Sequence, residues 1–133
     1  MKAVFADAFF YFALMNRRDG DHVKALHFVQ SYSGRYVTTP WVLTEVGNGM
    51  SAPGMRESFA LLFDDLHADA NVTIIPCSDA VFREGLERYR RRPDKDWSLT
   101  DCISFVVMEN DGLTEALTGD HHFEQAGFVS LLK

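Results

Sequence analysis

Residues 97–110 read Trp97-Ser98-Leu99-Thr100-Asp101-Cys102-Ile103-Ser104-Phe105-Val106-Val107-Met108-Glu109-Asn110. Ser98 suits a helix N-cap, and Asp101 sits three residues later in the acid position of a capping-box variant. Behind this start, Cys102, Ile103, Phe105, Val106, Val107 and Met108 place apolar side chains on almost every face of the turn. A helix with that pattern is buried rather than lying on a surface. This helix is therefore predicted to be central, and the rest of the chain has to surround it.

Working outward, short apolar runs alternate with helical ones. Upstream, Lys2 to Ala6 reads as a buried strand that stops at Asp7, followed by an aromatic-rich helix from Ala8 to Met15. Asp21 can cap a helix through about Tyr32, with Val23, Leu26, His27 and Gln30 at helical spacing and Gly34 ending it. Arg35 to Thr38 is a short strand. Thr39-Pro40 then starts a helix that ends near Gly47-Asn48-Gly49. Met55, Phe59, Leu62 and Leu66 mark an amphipathic helix, and Val72 to Ile75 a β-branched strand stopped by Pro76. Ser78 caps a charged helix that halts at Pro93. Beyond the central helix, Glu115 to Leu117 is a strand, Asp120 starts a short helix and Phe128 to Leu131 is a last strand. Such alternation predicts an α/β fold, one domain spanning residues 1–133, with a mainly parallel sheet covered on both faces.

Bulk properties narrow the function. No apolar run approaches the ~20 residues of a membrane span, and the first residues are too short and too soon charged for a secretory signal. Cys77 and Cys102 lie in apolar sequence and read as reduced, buried thiols of a cytoplasmic protein. The net charge of −6 argues against non-specific nucleic-acid binding by the whole surface. A local basic patch is compatible with it, because charges are screened beyond about 8 Å at physiological salt.

Four acids stand at structurally awkward places. Asp7 follows a strand and precedes a helix, so it is either an N-cap or a ligand at the carboxyl end of a strand. Glu45 lies past the first turn of its helix. Trp41, Val42, Asn48 and Gly49, three and four residues away, offer it no basic partner. Glu45 is then either a surface residue or, with Val42 and Val46 beside it, a charge that is paired or metal-bound, and the second reading is favoured. Asp101 fits the capping box, yet its helix is buried and directs the carboxylate inward. Asp120, after Thr118-Gly119, is an N-cap or a second strand-end acid. Clustered acids repel one another unless a cation sits among them, and without it at least one carboxyl is expected to hold its proton more tightly.

The order and spacing of these segments resemble the PIN domain family, the ribonuclease fold of VapC-type toxins and of free-standing bacterial relatives. The resemblance rests on Val4 to Asp7, Thr38 to Glu45, Trp97 to Phe105 and Leu117 to Phe128, and so covers essentially the whole chain. It implies a three-layer α/β/α fold with about five parallel strands, metal-dependent hydrolysis of RNA, frequent homodimers and, for the toxins, an antitoxin partner. By position, Asp7, Glu45, Asp101 and Asp120 match the family's acidic cluster, which implies Mg²⁺ or Mn²⁺ as cofactor. Family members usually carry Thr or Ser directly after the first acid, where this chain has Ala8.

Oxygen donors suit these ions, and an ion held by Asp7 and Asp101 can bring water onto a phosphodiester. Glu45 and Asp120 would complete the site. Arg83, Arg88, Arg90, Arg91, Arg92 and Lys95 are six of the thirteen Lys and Arg residues. They form either a solvated helix face, with Glu84–Arg88 and Glu87–Arg91 pairs, or a phosphate-contacting edge centred on Arg90, Arg91 and Arg92. His22, His121 and His122 offer metal-free acid–base cleavage as a weaker alternative. A catalytically weak module that binds RNA or protein is the other competitor, and it draws on Ala8.

Overall fold

The computed structural model describes residues 2–133. Five strands form one sheet: β1 (Ala3–Ala6), β2 (Arg35–Thr38), β3 (Val72–Ile74), β4 (Glu115–Leu117) and β5 (Val129–Ser130). Their order is β3-β2-β1-β4-β5 and every pairing is parallel. Seven helices connect them among the described residues: α1 (Ala8–Met15), α2 (His22–Ser31), α3 (Pro40–Gly49), α4 (Arg56–Ala68), α5 (Asp79–Arg91), α6 (Leu99–Asn110) and α7 (His121–Gln125). Parallel neighbours need crossover connections, and the helices that supply them cover both faces in an α/β/α arrangement.

Strand β1 is central. Its Val4, Phe5 and Ala6 are fully buried, as a short apolar run between two neighbours has to be. The chain leaves β1 toward β2 on one side and returns as β4 on the other, in register Ala6 with Leu117. Strand order reverses between β1 and β4. At such a reversal the carboxyl ends of the strands frame a crevice, because the connections leave in opposite directions.

Helix α6 forms as the capping pattern requires. Ser98 Oγ accepts from the Asp101 N–H, and Asp101 Oδ2 accepts from the Ser98 N–H. Every residue from Asp101 to Met108 is buried. Phe105 packs edge-on against Trp97 and Phe123, with ring centroids 5.1 and 5.0 Å away. Helix α5 lies close along α6 because Gly85 has no side chain. A Cβ there would fall 2.5 Å from Ile103 Cγ1 and 3.0 Å from Ile103 Cα.

Several expectations need correcting. In α2 the buried residue is Ala25, with Phe28 packed on the core, whereas Val23 and Leu26 face solvent. Apolar residues at mixed spacing do not reveal which stripe faces inward. Cys77 is exposed, because it follows Pro76 in the loop after edge strand β3; Cys102 is buried as expected. The Glu87–Arg91 pair forms, but Arg88 reaches across to Glu109 of α6 instead of pairing with Glu84. Close α5–α6 packing brings that partner nearer than the helical one.

Replacing Gly85 by Val should destabilise the protein by about 1–3 kcal/mol in urea unfolding, since backbone as well as side chain would have to move. Gly20 has open space around it, and Gly20→Ala should change stability by no more than about 0.5 kcal/mol. Equal stability of Gly85→Val and the parent would show that the helices do not pack closely.

Candidate active site

The crevice between β1 and β4 receives acids from four elements. Asp7 is the residue after β1. Its backbone N–H continues the sheet ladder to Leu117 O at 3.4 Å, and its side chain makes no capping bond to α1. Asp7 is only 6% exposed, and its Oδ2 accepts from Thr118 Oγ1 at 3.0 Å. The same Thr118 oxygen accepts from the Asp120 N–H at 3.0 Å, so one buried hydroxyl fixes both strand-end acids. Asp101 enters from the first turn of α6, also buried. Asp120 caps α7 by accepting from the His122 N–H at 3.0 Å.

Glu45 departs from expectation. It is exposed, because its side chain leaves the α3 face that buries Val42 and Val46. It stands beside Trp41, Thr44, Ser98 and Thr100 along a shallow cleft, and so forms the solvent side of the group rather than its interior.

Electrostatics joins the four acids more tightly than sequence distance suggests. Burial, then the Asp101 charge, pushes the Asp7 carboxyl up to about 7, and the Thr118 hydrogen bond only partly opposes this. Burial also raises Asp101, against the pull of the Ser98 N–H and His122, and Asp120 adds to the rise. Glu45 is raised by partial burial and then by the charges of Asp101 and Asp120. Among the described residues no Lys or Arg comes within ion-pair distance of any of the four. The side chain that does reach them is His122, whose Nδ1 lies 3.0 Å from Asp101 Oδ2 and 3.3 Å from Asp120 Oδ2.

This donor set fits a hard divalent ion. Asp7 and Asp101 each commit Oδ2 to hydrogen bonds within the protein, which leaves Oδ1 on each for an oxygen-preferring cation. Among the described residues, the group whose potential ligand atoms lie within 4.8 Å of one another is Asp120, His121 and His122, at the β4 side of the crevice.

Two residues of this arrangement escape a reading of the sequence. Thr118 carries a signal: a hydroxyl two residues ahead of a strand-end acid can bond back to that acid's N–H. It also supplies the hydroxyl contact to Asp7 that Ala8 cannot. The sequence offers His122 only as a metal-free catalyst, and its bridging position depends on the fold of α7.

The basic residues lie next door. Two clefts, of about 590 and 480 Å³, share Arg92 and Trp97 as a common wall. Arg92 sits 5.3 Å over the Trp97 ring and also pairs with Asp94, while Arg91 pairs with Glu87. Arg90 has no ion-pair partner among the described residues and lines the smaller cleft with Tyr89 and Lys95. The clefts are beside the acids rather than over them. Trp97 ties the two regions together by donating from Nε1 to Gln125 Oε1 at 3.1 Å, one turn after His122.

The PIN domain sequence profile matches residues 4–129. The chain belongs to the PIN domain family. No curated protein matches it by sequence. Among solved structures this PIN domain resembles VapC20 of Mycobacterium tuberculosis, a Sarcin-Ricin loop cleaving toxin, with 25% identity and a TM-score of 0.88 over 98% of this chain and 99% of that one. VapBC2 from Rickettsia felis, bound to a DNA fragment from their promoter, shares the fold at 12% identity and a TM-score of 0.68, covering 97% of each chain. FitAcB from Neisseria gonorrhoeae does so at 12% identity and a TM-score of 0.65, over 96% and 94% of the two chains.

The raised Asp7 carboxyl sets a pH dependence. Its affinity for the proton is higher folded than unfolded, where the ordinary value is 3.8. The folded protein then binds the extra proton between the two values, and stability is lost as pH rises toward about 7. In chelator-treated protein, Asp7→Asn should therefore unfold at higher urea than the parent at pH 8, with the gap narrowing as pH falls below about 7 toward 3.8. A gap that does not change with pH would show that Asp7 is not electrostatically frustrated.

Proposed function

We propose that this PIN domain is a divalent-metal-dependent endoribonuclease using Mg²⁺ or Mn²⁺, and that it is the toxin of a toxin–antitoxin pair. The observation that carries this reading is the crevice itself: two buried aspartates, raised by burial and by neighbouring carboxylates, with no Lys or Arg paired to them among the described residues. Such a group is costly as built and becomes favourable once a cation is shared.

In this reading Asp7 and Asp101 hold the ion, with Asp120 completing the set on the β4 side. A bound ion of this kind supplies a water nucleophile at neutral pH and neutralises charge on the phosphate oxygens. Glu45, exposed at the rim with its proton affinity raised, would take a proton from an attacking water at its carboxylate. Thr118 keeps Asp7 and Asp120 in fixed relation. Arg90, Arg91 and Arg92 hold flanking phosphates, and Tyr89 and Trp97 give bases a surface to stack on. Because water attacks, the RNA 2′-hydroxyl is not consumed.

VapC20, the relative at 25% identity, is a toxin that cleaves the Sarcin-Ricin loop, which supports the toxin assignment. A toxin that attacks RNA in the cell making it needs a neutralising protein, so an antitoxin partner and a cytoplasmic location belong to this reading. No helix among the described residues is long and apolar enough to cross a membrane. Exposed Val23, Leu26 and Val29 on α2, and Leu61 and Phe63 on α4, offer apolar surface for an antitoxin and for a second copy in a homodimer. The competing reading, a binding module without activity, draws on the missing hydroxyl at position 8, and the Thr118 hydrogen bond to Asp7 weakens it.

Incubation with Mg²⁺ and an RNA pool that includes a sarcin–ricin hairpin should give 5′-phosphate and 3′-hydroxyl ends. Cleavage should vanish with chelator and in Asp7→Asn and Asp101→Asn. Products with 2′,3′-cyclic phosphate, or activity that survives chelation, would contradict the assignment. Charge reversal at Arg90, Arg91 and Arg92 should weaken RNA binding by Asp101→Asn protein. It should also flatten the salt dependence of binding by about one logarithmic unit for each phosphate that is no longer held. Unchanged binding would remove the basic edge from the substrate path.

A further inference from the structure

We propose that His122 is a positioning residue for the metal centre: its Nδ1–H clamps Asp101 and Asp120 together through their Oδ2 atoms and leaves Asp101 Oδ1 for the ion. This rests on the metal-dependent reading above.

Ionised carboxylates only accept, so with both acids charged, and with Asp101 Oδ2 at 3.0 Å and Asp120 Oδ2 at 3.3 Å, the bond runs from an Nδ1–H shared between them. Asp101 Oδ2 already accepts from the Ser98 N–H at 3.2 Å, so this oxygen has two donors and its lone pairs are committed. Two donors on one oxygen fix the rotation of the carboxylate and present the other oxygen.

His122 is held firmly enough to do this. Its side chain is 17% exposed. Helix α7 is capped at its start by Asp120, anchored next to His122 by fully buried Phe123, and tied at its end through Gln125 to Trp97. Phe123 packs on both Phe5 of β1 and Phe105 of α6, the elements that carry Asp7 and Asp101. The imidazole is thus referenced to the same frame as the carboxylates it clamps. His121 makes no comparable contact: it is exposed, with Nδ1 3.5 Å from Asp120 Oδ1.

Side-chain geometry gives a discriminating test. Asn places an amide N–H near the Nδ1 position of His, whereas Gln places one near Nε2. Titration of Mn²⁺ into the full chain at pH 8, followed by calorimetry, should show His122→Ala binding about 10–100-fold more weakly than the parent. His122→Asn should bind close to the parent, and His122→Gln should resemble His122→Ala. Thermal melts in chelator check the fold, and should His122→Ala melt early, the Asn and Gln variants alone decide. Parent-like Mn²⁺ affinity in His122→Ala, or rescue by Gln rather than Asn, overturns the clamp while leaving the metal reading in place, provided the parent binds and Asp101→Asn does not. A parent that takes up no Mn²⁺ overturns both.

Discussion

A carboxylate is placed at the carboxyl end of a strand buried from Val4 to Ala6, and no basic residue among the described residues is paired with it. Asp7 cannot retreat to solvent, because it directly follows the central strand of the sheet and its N–H is bound into the ladder with Leu117. Desolvation raises its proton affinity, and Asp101 raises it further. Thr118 donates to the Asp7 carboxylate, while Asp101 and Glu45 are raised by their own burial and by the other acids of the group. Natural proteins keep such frustration where function uses it.

Core and site are inseparable here because α6 serves both. Its capping box stabilises the helix start, and the acid in that box is also the one directed into the crevice. A substitution that loosened the cap would therefore disturb Asp101 even with the carboxylate retained. The aromatic cluster of Trp97, Phe105 and Phe123 links this helix to α7, and Arg92 stacks on the Trp97 ring where the basic clefts begin. Acid crevice and basic edge thus share a support.

Much of this is legible in the chain. Strand and helix order follows from apolar periodicity and caps, since Thr39, Ser78 and Ser98 each accept the expected backbone bond. Convergence of Asp7, Asp101 and Asp120 is legible once β1 and β4 are expected to lie in one parallel sheet. The failures have physical causes. Glu45 has apolar neighbours in sequence, but adjacent residues on a helix point in different directions, and Val42 and Val46 turn inward while Glu45 turns out. Arg88 takes a partner on another helix, which no spacing rule within α5 can reveal. Thr118 and His122 act through contacts across the sheet end, and their chemistry is visible in the sequence only as residue type.

The most direct measurement is the position of Mn²⁺ in crystals soaked with that ion, read from its anomalous signal. A peak is expected in the crevice between β1 and β4, at about 2.0–2.3 Å from oxygens of Asp7 and Asp101. A peak elsewhere on the molecule, or an empty crevice with both carboxylates unchanged at saturating Mn²⁺, would contradict a shared cation as the answer to the buried charge.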